Sequence, residues 1–186
     1  LHSCEVDKDE VPQLARIIIS IDPAVTANTD SDMTGIVVAG IDVNGVAYVL
    51  EDHTDRYTPQ QWASKAIELY RKHMADRIVA EKNQGGDMVR HTLHTEDENV
   101  PVKLVHASRG KMARAEPVSA LYEQGKVKHV KGLNDLEDQM VQWEPLGSTG
   151  SPDRLDAMVW AITDLSLNGY AKPQLVLAYS NAKGLK

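Results

Sequence analysis

The order of strand-like and helix-like segments constrains the fold of this chain more than any single motif. A β-branched run at residues 16–21 predicts a buried strand. Two further strand-like segments, 34–41 and 46–50, are joined through Asn44-Gly45, the strongest short-range signal for a β-hairpin. Beyond them, helical and strand-like segments alternate along the chain. We therefore expect an α/β fold with a central mixed sheet of five or more strands and helices on both faces.

Local signals support the alternating part of this prediction. Thr58, Pro59 and Gln61 supply an N-cap, a first-position proline and a capping box, which together begin a helix that continues to about His73. Gly125 suits the left-handed position just past the end of a later helix. Further strands are predicted at 77–80, 102–106 and 127–130, and further helices at 87–94, 112–123, 133–143 and 153–167.

Length and composition bound the domain organisation. The chain has 186 residues, of which 42% are hydrophobic, and this is enough for one domain with a substantial core. Residues 1–14 are charged and lack a hydrophobic period, so we predict a linker or arm there, one domain at 15–170 and a tail at 171–186. No apolar run approaches the roughly 20 residues that cross a bilayer, so no membrane partner is expected. The single cysteine, Cys4, excludes an intramolecular disulfide, and the cytoplasm is the expected location.

Charge is distributed unevenly along the chain. The net charge is −7, yet the segment 103–131 is rich in lysine and arginine and holds only two acids, Glu116 and Glu123. The simpler interpretation is a solvated face, and the functional one is a basic strip that follows a phosphate backbone. The candidate DNA-binding residues of this strip are Arg109, Lys111, Arg114, Lys126, Lys128 and Lys131.

Four acids lie where a predicted strand ends or a predicted helix begins. Asp22 follows the first strand, Glu81 follows the strand at 77–80, and Asp153 and Asp156 lie at the start of the last helix. Ligand chemistry in such sheets gathers at the carboxyl ends of strands, so the fold could bring these acids together. Clustered carboxylates repel one another, and Mg²⁺ or Mn²⁺, which favour oxygen ligands, would relieve that repulsion.

Each acid also has a simpler interpretation. Asp22 with Pro23 is a common start of a turn, and Glu81 has the position of an ordinary surface residue. Asp153 is a plausible N-cap or first-turn residue, and Arg154 could neutralise either neighbouring acid. The sequence contains no GxxxxGK[ST] phosphate loop, no HExxH zinc motif and no GxSxG nucleophile elbow, which disfavours P-loop, zinc and serine-hydrolase chemistry.

Four segments, taken in order and with their spacing, carry a family resemblance. They are IDPA with DMTGIVV, VAEKNQGG, SRGKMARAEPVSALYEQGKV and SPDRLDAMVWA. Together they resemble the C-terminal nuclease domain of the large terminase subunit of tailed bacteriophages and prophages, over roughly residues 16–167. The resemblance implies an RNase H-like fold, in which the first and fourth strands lie side by side.

The resemblance also implies roles for individual residues. Asp22 would be the first catalytic, metal-binding carboxylate and Glu81 the second. The third would be Asp153, with Asp156 close behind, and the choice between them stays open. Asp32 matches an accessory metal-binding acid of some relatives. The implied activity is hydrolysis of phosphodiester bonds in concatemeric double-stranded DNA, with little sequence specificity and with two Mg²⁺ or Mn²⁺ ions.

The partners implied by the resemblance are double-stranded DNA and, in the full-length protein, an N-terminal packaging ATPase domain, the small terminase subunit and the portal. Residues 1–14 would then be the linker from the ATPase domain, and the location would be the cytoplasm of the bacterial host. Two alternatives stay open. One is another RNase H-like nuclease, of the Holliday-junction resolvase or transposase type, and the other is a non-catalytic module that docks a motor or portal.

Overall fold

A single mixed sheet forms the centre of the protein. The computed structural model describes residues 4–24, 33–82, 86–108, 110–144 and 152–167. Within them the strands are β1 (Glu5–Val6), β2 (Leu14–Asp22), β3 (Gly35–Asp42), β4 (Ala47–Asp52), β5 (Arg77–Glu81), β6 (Val102–Val105) and β7 (Val127–Val130). Their order across the sheet is β1-β7-β4-β3-β2-β5-β6. Strands β2, β3 and β4 form an antiparallel meander, and all other pairs are parallel. The predicted α/β fold with a mixed sheet is confirmed.

The helices alternate with the later strands as predicted. They are α1 (Pro59–Lys72), α2 (Gly86–Glu96), α3 (Lys111–Glu123), α4 (Asn134–Gln142) and α5 (Asp153–Ile162), and a π-helical turn, Thr163–Leu167, continues α5. The capping box of α1 is formed, because Gln61 N–H donates to Thr58 Oγ1 at 3.3 Å and Thr58 N–H donates to Gln61 Oε1 at 2.8 Å. Gly125 has φ = 66°, the left-handed conformation expected after α3. No helix in the described ranges combines the length and apolar character that crossing a membrane requires.

Side chains alternate between two hydrophobic cores, one on each face of the sheet. Ile19 and Ile21 of β2 pack with Trp62 of α1 and Leu93 of α2. On the opposite face, Ile18 packs with the C-terminal part of α5. A strand that is covered on both faces does not alternate between apolar and polar residues, which explains why four of the six residues at 16–21 are isoleucine.

The N-terminal segment contributes to the sheet, which corrects one expectation. Glu5 and Val6 pair in parallel with His129 and Val130, so β1 forms one edge of the sheet. An aperiodic arm was expected over residues 1–14, and this is wrong for 5–6. Two strand residues are too few to produce a hydrophobic period, and their partner strand lies far along the sequence. The domain boundary at residue 14 stays a prediction, and the predicted tail at 171–186 lies outside the described residues.

A buried ion cluster fastens the end of α5 to the sheet. The Asp164 side chain in the π-helical turn is 1% exposed. Arg77 donates to its Oδ2 from Nε and Nη2, at 3.1 and 2.6 Å, and Lys103 Nζ donates to its Oδ1 at 2.6 Å. Arg77 begins β5 and Lys103 lies in β6, so the cluster joins the turn that follows α5 to two neighbouring strands. Lys103, the first cation of the basic segment, is therefore engaged with an acid.

Substituting Arg77→Met should destabilise the fold without altering contacts at the carboxyl ends of the strands, which lie at the other end of the sheet. The buried Asp164 carboxylate would lose the paired donors of Arg77 and keep Lys103, so we expect a loss of about 1–3 kcal/mol in the free energy of unfolding, measured by urea denaturation. Arg71→Met is the control, because Arg71 pairs with Asp97 at the surface and its side chain is 65% exposed. We expect that variant to lose less than about 1 kcal/mol. Equal losses in the two variants would contradict a structural role for the cluster.

Candidate active site at the carboxyl edge of the sheet

Two acids lie side by side because their strands are parallel neighbours. The pairing of β2 with β5 aligns Ile21 with Ala80. The next residues along the two strands are Asp22 and Glu81, so both carboxylates leave the sheet at the same edge. The neighbouring position of these strands agrees with the arrangement that the family resemblance implied.

Helix α5 brings two more acids to this edge, and a glycine permits the approach. Asp153 and Asp156 lie in the first turn of α5, and each is 5% exposed. Gly35 of β3 is aligned with Asp22. A Cβ atom at Gly35 would clash with the backbone oxygen of Asp153 and would lie 2.9 Å from the Cβ of Ala157. The first turn of α5 can pack this closely on the sheet only because Gly35 has no side chain.

The start of α5 is held by a side chain from α4. Pro152 occupies the N-cap position and provides no side-chain cap, so Asp153 is the first helical residue, and of the two predicted positions, N-cap or first turn, it has the second. Gln139 Oε1 instead accepts the backbone N–H of Leu155 at 2.9 Å. An otherwise unsatisfied N–H group of the first turn is thereby paired.

Arg154 also anchors this turn, through acids of two other elements. Its Nη1 donates to Asp52 Oδ2 at 2.6 Å, and its Nη2 lies 3.2 Å from Asp135 Oδ2. Asp52 ends β4 and Asp135 lies in α4, so Arg154 joins α5 to two other elements. The expectation that Arg154 could neutralise Asp153 or Asp156 finds no support in these contacts, because the side chain is directed to other acids.

The four acids form one electrostatic group. Burial raises the pKa of Asp22 well above its ordinary value, and the negative charges of Glu81, Asp156 and Asp153 raise this pKa further, in that order. Lys111 acts in the opposite direction. A buried carboxyl that is surrounded by other acids resists ionisation, and a bound cation would remove that resistance.

Two cations from α3 lie against these acids. Lys111 Nζ is 2.6 Å from Asp156 Oδ2. Arg114 lies between two carboxylates, with Nη1 3.4 Å from Glu81 Oε2 and Nη2 3.5 Å from Asp156 Oδ1. Trp160 Nε1–H also donates to Glu81 Oε2, at 2.6 Å. Lys111 and Arg114, predicted as part of a DNA-binding strip, are thus directed towards the acidic group.

The donor set suits a hard divalent cation, although the acids do not converge on one point. Carboxylate oxygens are the ligands that Mg²⁺ and Mn²⁺ prefer. Within the described ranges, however, no three His, Cys, Asp or Glu side chains are grouped closely enough to hold an ion. The oxygens of Glu81 and Asp156 already contact Trp160, Arg114 and Lys111. A cation would have to replace some of these contacts.

The other residues predicted to bind metal or DNA do not contact these four acids or lie outside the described residues. Asp32 and Arg109 lie outside the described residues. Lys126 and Lys128 belong to the β7 region, and Lys131 Nζ pairs with Asp7 Oδ2 at 2.8 Å. Strand β7 is separated from β5 by three strands, so the basic segment does not form one continuous strip beside the acids.

Sequence reasoning missed three residues that shape the site: Gly35, Gln139 and Trp160. A glycine inside a strand pattern was the available signal for Gly35, because such glycines often mark a close approach. Trp160 was counted only as part of an apolar helix, although a buried indole N–H normally needs an acceptor. Nothing in the sequence pointed to Gln139.

The sheet is an antiparallel meander that is continued by parallel strands. It has acids at the ends of β2 and β5, and α5 adds two more. This arrangement is that of an RNase H-like α/β protein. The sequence model described as the terminase RNaseH-like domain matches residues 19–165. The chain therefore belongs to the terminase RNaseH-like domain family. Among curated protein sequences, no match was found.

Solved structures share this fold at low sequence identity. The large terminase nuclease from the thermophilic phage G20c has a TM-score of 0.62 and 13% identity, over 80% of this chain and 81% of that one. A large terminase from a second thermophilic bacteriophage has a TM-score of 0.61 and 14% identity, over 86% of this chain. The chain spans only 43% of the length of that second terminase.

Another neighbour is a resolvase. RuvC of T. thermophilus, solved with a Holliday-junction substrate, has a TM-score of 0.50 and 14% identity, over 82% of this chain and 94% of that one. Metals are present in related nucleases, since a second structure of the G20c nuclease holds zinc and a variant of the nuclease domain of bacterial virus Sf6 holds manganese.

Replacing Gly35→Ala should disturb the acidic group as well as the fold. The added Cβ must push the first turn of α5 away from β3, which we expect to cost about 1–3 kcal/mol in the free energy of unfolding and to weaken Mn²⁺ binding measured by calorimetry. Gly40→Ala is the matched control, because Gly40 lies in β3 like Gly35 but away from the acids. Its added Cβ would lie 2.6 Å from Leu14 Cδ1 of β2. Gly40→Ala should lose stability and keep Mn²⁺ binding. Unaltered Mn²⁺ binding in Gly35→Ala would contradict this role of Gly35.

Substituting Asp22→Asn should stabilise the protein in EDTA. Folding raises the pKa of Asp22. The protonated side chain therefore adds to the free energy of unfolding at a pH below the ordinary carboxyl pKa, and this contribution is lost as the pH rises through the raised pKa. Asparagine does not ionise and avoids that loss. We expect a gain of at least about 1 kcal/mol at pH 8 by urea denaturation in EDTA, and a smaller gain at lower pH. A variant less stable than the wild type at pH 8 would contradict the electrostatic account.

Proposed function

We propose that this chain is the metal-dependent DNA endonuclease domain of a phage DNA-packaging terminase, which cuts concatemeric double-stranded viral DNA. One observation carries the proposal. In a member of the terminase RNaseH-like family, Asp22, Glu81, Asp153 and Asp156 are gathered where β2, β5 and α5 meet. A group of acids that raises the pKa of its own member weakens the fold unless a cation compensates, so it is expected where a cation is used.

The metal ligands we propose are Asp22, Glu81, Asp153 and Asp156, with Asp32 as an accessory acid. Two Mg²⁺ or Mn²⁺ ions would activate the attacking water and stabilise the leaving 3′ oxygen. The residues themselves would hold the ions and need not carry protons. Zinc and manganese in the related G20c and Sf6 nucleases support the use of a divalent metal here.

The effects of Asp153 and Asp156 on the pKa of Asp22 bear on the choice of the third metal ligand. The charge of Asp156 raises the pKa of Asp22 more than that of Asp153 does. The family resemblance favours Asp153 as the third ligand, and the stronger effect of Asp156 on Asp22 keeps Asp156 as the alternative. Because the two acids are three residues apart in one helical turn, both face the same edge and both are proposed as ligands.

Contacts with DNA are proposed for the basic residues outside the acidic group. Arg109, Lys126, Lys128 and Lys131 would neutralise backbone phosphates, which gives affinity with little sequence preference. Lys111 and Arg114 instead contact the proposed metal ligands Asp156 and Glu81. In the complete protein we propose a packaging ATPase domain, the small terminase subunit and the portal as partners, in the cytoplasm of the bacterial host.

A second candidate is a junction resolvase, which the likeness to RuvC favours. The two activities differ in substrate rather than in metal chemistry. Cleavage of a four-way junction in preference to the matching linear duplex would favour the resolvase. Cleavage of both substrates at similar rates is expected for the terminase nuclease. A docking module would cleave neither substrate and would show no Mn²⁺ uptake that depends on Asp22.

The nuclease proposal predicts metal-dependent plasmid cutting. Supercoiled plasmid should be nicked and linearised in Mn²⁺ or Mg²⁺ and stay intact in EDTA, as followed on agarose gels. Asp22→Ala and Glu81→Ala should each reduce the rate by at least about a hundredfold, because each removes a proposed metal ligand. Arg71→Met serves as a variant remote from the acids and should cut at the wild-type rate. No cutting by the wild type in either metal would refute the proposal for this domain.

A further inference from the structure

The Arg114 guanidinium occupies the space between two of the proposed metal ligands. It approaches Glu81 and Asp156 at 3.4 and 3.5 Å, and its side chain is only 11% exposed. Its guanidinium carbon lies 4.6 Å from the ring centroid of Trp160, so the cation is stacked on an aromatic face. Trp160 in turn donates to the same Glu81 oxygen that Arg114 approaches. The site therefore contains its own cation, held in a defined position.

These contacts are long for a buried ion pair. Charge-assisted N–H···O bonds are usually about 2.7–2.9 Å, whereas both Arg114 contacts lie at the outer limit. The Arg114 Nε is buried and makes no hydrogen bond within the described residues. By comparison, Arg77 donates from two nitrogens to Asp164, at 3.1 and 2.6 Å. Arg114 thus supplies positive charge to the acids without an optimal set of bonds.

We propose that Arg114 is a built-in counter-cation, which holds Glu81 and Asp156 together in the absence of a divalent ion and competes with that ion for the same oxygens. The proposal rests on the proposed function, since it requires that Glu81 and Asp156 are metal ligands. It assigns Arg114 a positioning and regulatory role in place of the DNA contact expected from the sequence. The free energy needed to displace Arg114 from these oxygens would then weaken metal binding.

The first turn of the helix that carries Arg114 is suited to such a displacement. From Ala115 onwards α3 packs on the core through Val118, Leu121 and Tyr122, whereas Met112 in its first turn is 59% exposed. Pro117 lies inside α3 and has no N–H, so the carbonyl of Ala113 lacks its usual helical donor. Lys111 lies one turn before Arg114 and contacts Asp156 as well, so a movement of this turn would release both cations from the acids together.

The test compares Arg114→Met with the wild type in metal binding and in stability. Methionine keeps much of the packing on Trp160 and removes the charge and the donors. We expect the Mn²⁺ dissociation constant, measured by calorimetry, to fall roughly tenfold, because the ion no longer displaces charge-assisted bonds. We also expect the melting temperature to fall in EDTA and to recover in saturating Mn²⁺. Arg77→Met is the matched control, and its loss of stability should be the same in EDTA and in Mn²⁺.

The outcomes separate this inference from the proposed function. If the wild type takes up no Mn²⁺, the proposed function fails and the inference fails with it. If the wild type binds Mn²⁺ and Arg114→Met binds it with equal or lower affinity, only the inference is overturned. An equal loss of stability in EDTA and in Mn²⁺ also overturns it, because that is the behaviour of a structural ion pair. Should Arg114→Met not fold, Arg114→Gln removes the same charge and must show the same tighter binding.

Discussion

Repulsion among the four carboxylates at the ends of β2 and β5 and the start of α5 is the constraint on which the rest of this structure depends. Parallel pairing of β2 and β5 forces Asp22 and Glu81 to the same edge. Helix α5 then adds Asp153 and Asp156. Desolvation raises the pKa of Asp22 most, and the charges of Glu81, Asp156 and Asp153 raise it further. Such an arrangement is unfavourable by itself, so other parts of the fold must hold it in place.

Helix α5 is held at both ends, which explains how the acids are kept together. At its start, Arg154 pairs with Asp52 and Gln139 accepts from the backbone. At its far end, the turn that follows α5 carries Asp164, which is fastened by Arg77 and Lys103. Hydrophobic packing of α5 on the sheet supplies the rest of the stability. Strain concentrated at one edge of a well-packed fold is typical of a functional site.

Local sequence signals were sufficient for most of the fold and for the positions of the acids at two strand ends and one helix start. The β-branched run, the Asn44-Gly45 hairpin and the Thr58 capping box act over a few residues, and the structure reproduces all three. Features that depend on contacts between distant segments were not predictable. Strand β1 is too short to leave a pattern, and the partners of Arg154 lie in elements far along the chain. A count of charges cannot tell that Arg114 faces the acids rather than the solvent, because that depends on how α3 packs.

We propose that these carboxylates form a divalent-metal centre. Anomalous diffraction from crystals of the protein soaked in Mn²⁺ measures this directly, because it locates the ion independently of any assay of activity. We expect anomalous peaks within coordination distance, about 2.0–2.6 Å, of oxygens from Asp22, Glu81 and at least one of Asp153 and Asp156. Anomalous peaks only at other surface sites, with Arg114 still between Glu81 and Asp156 at saturating Mn²⁺, would refute this metal centre.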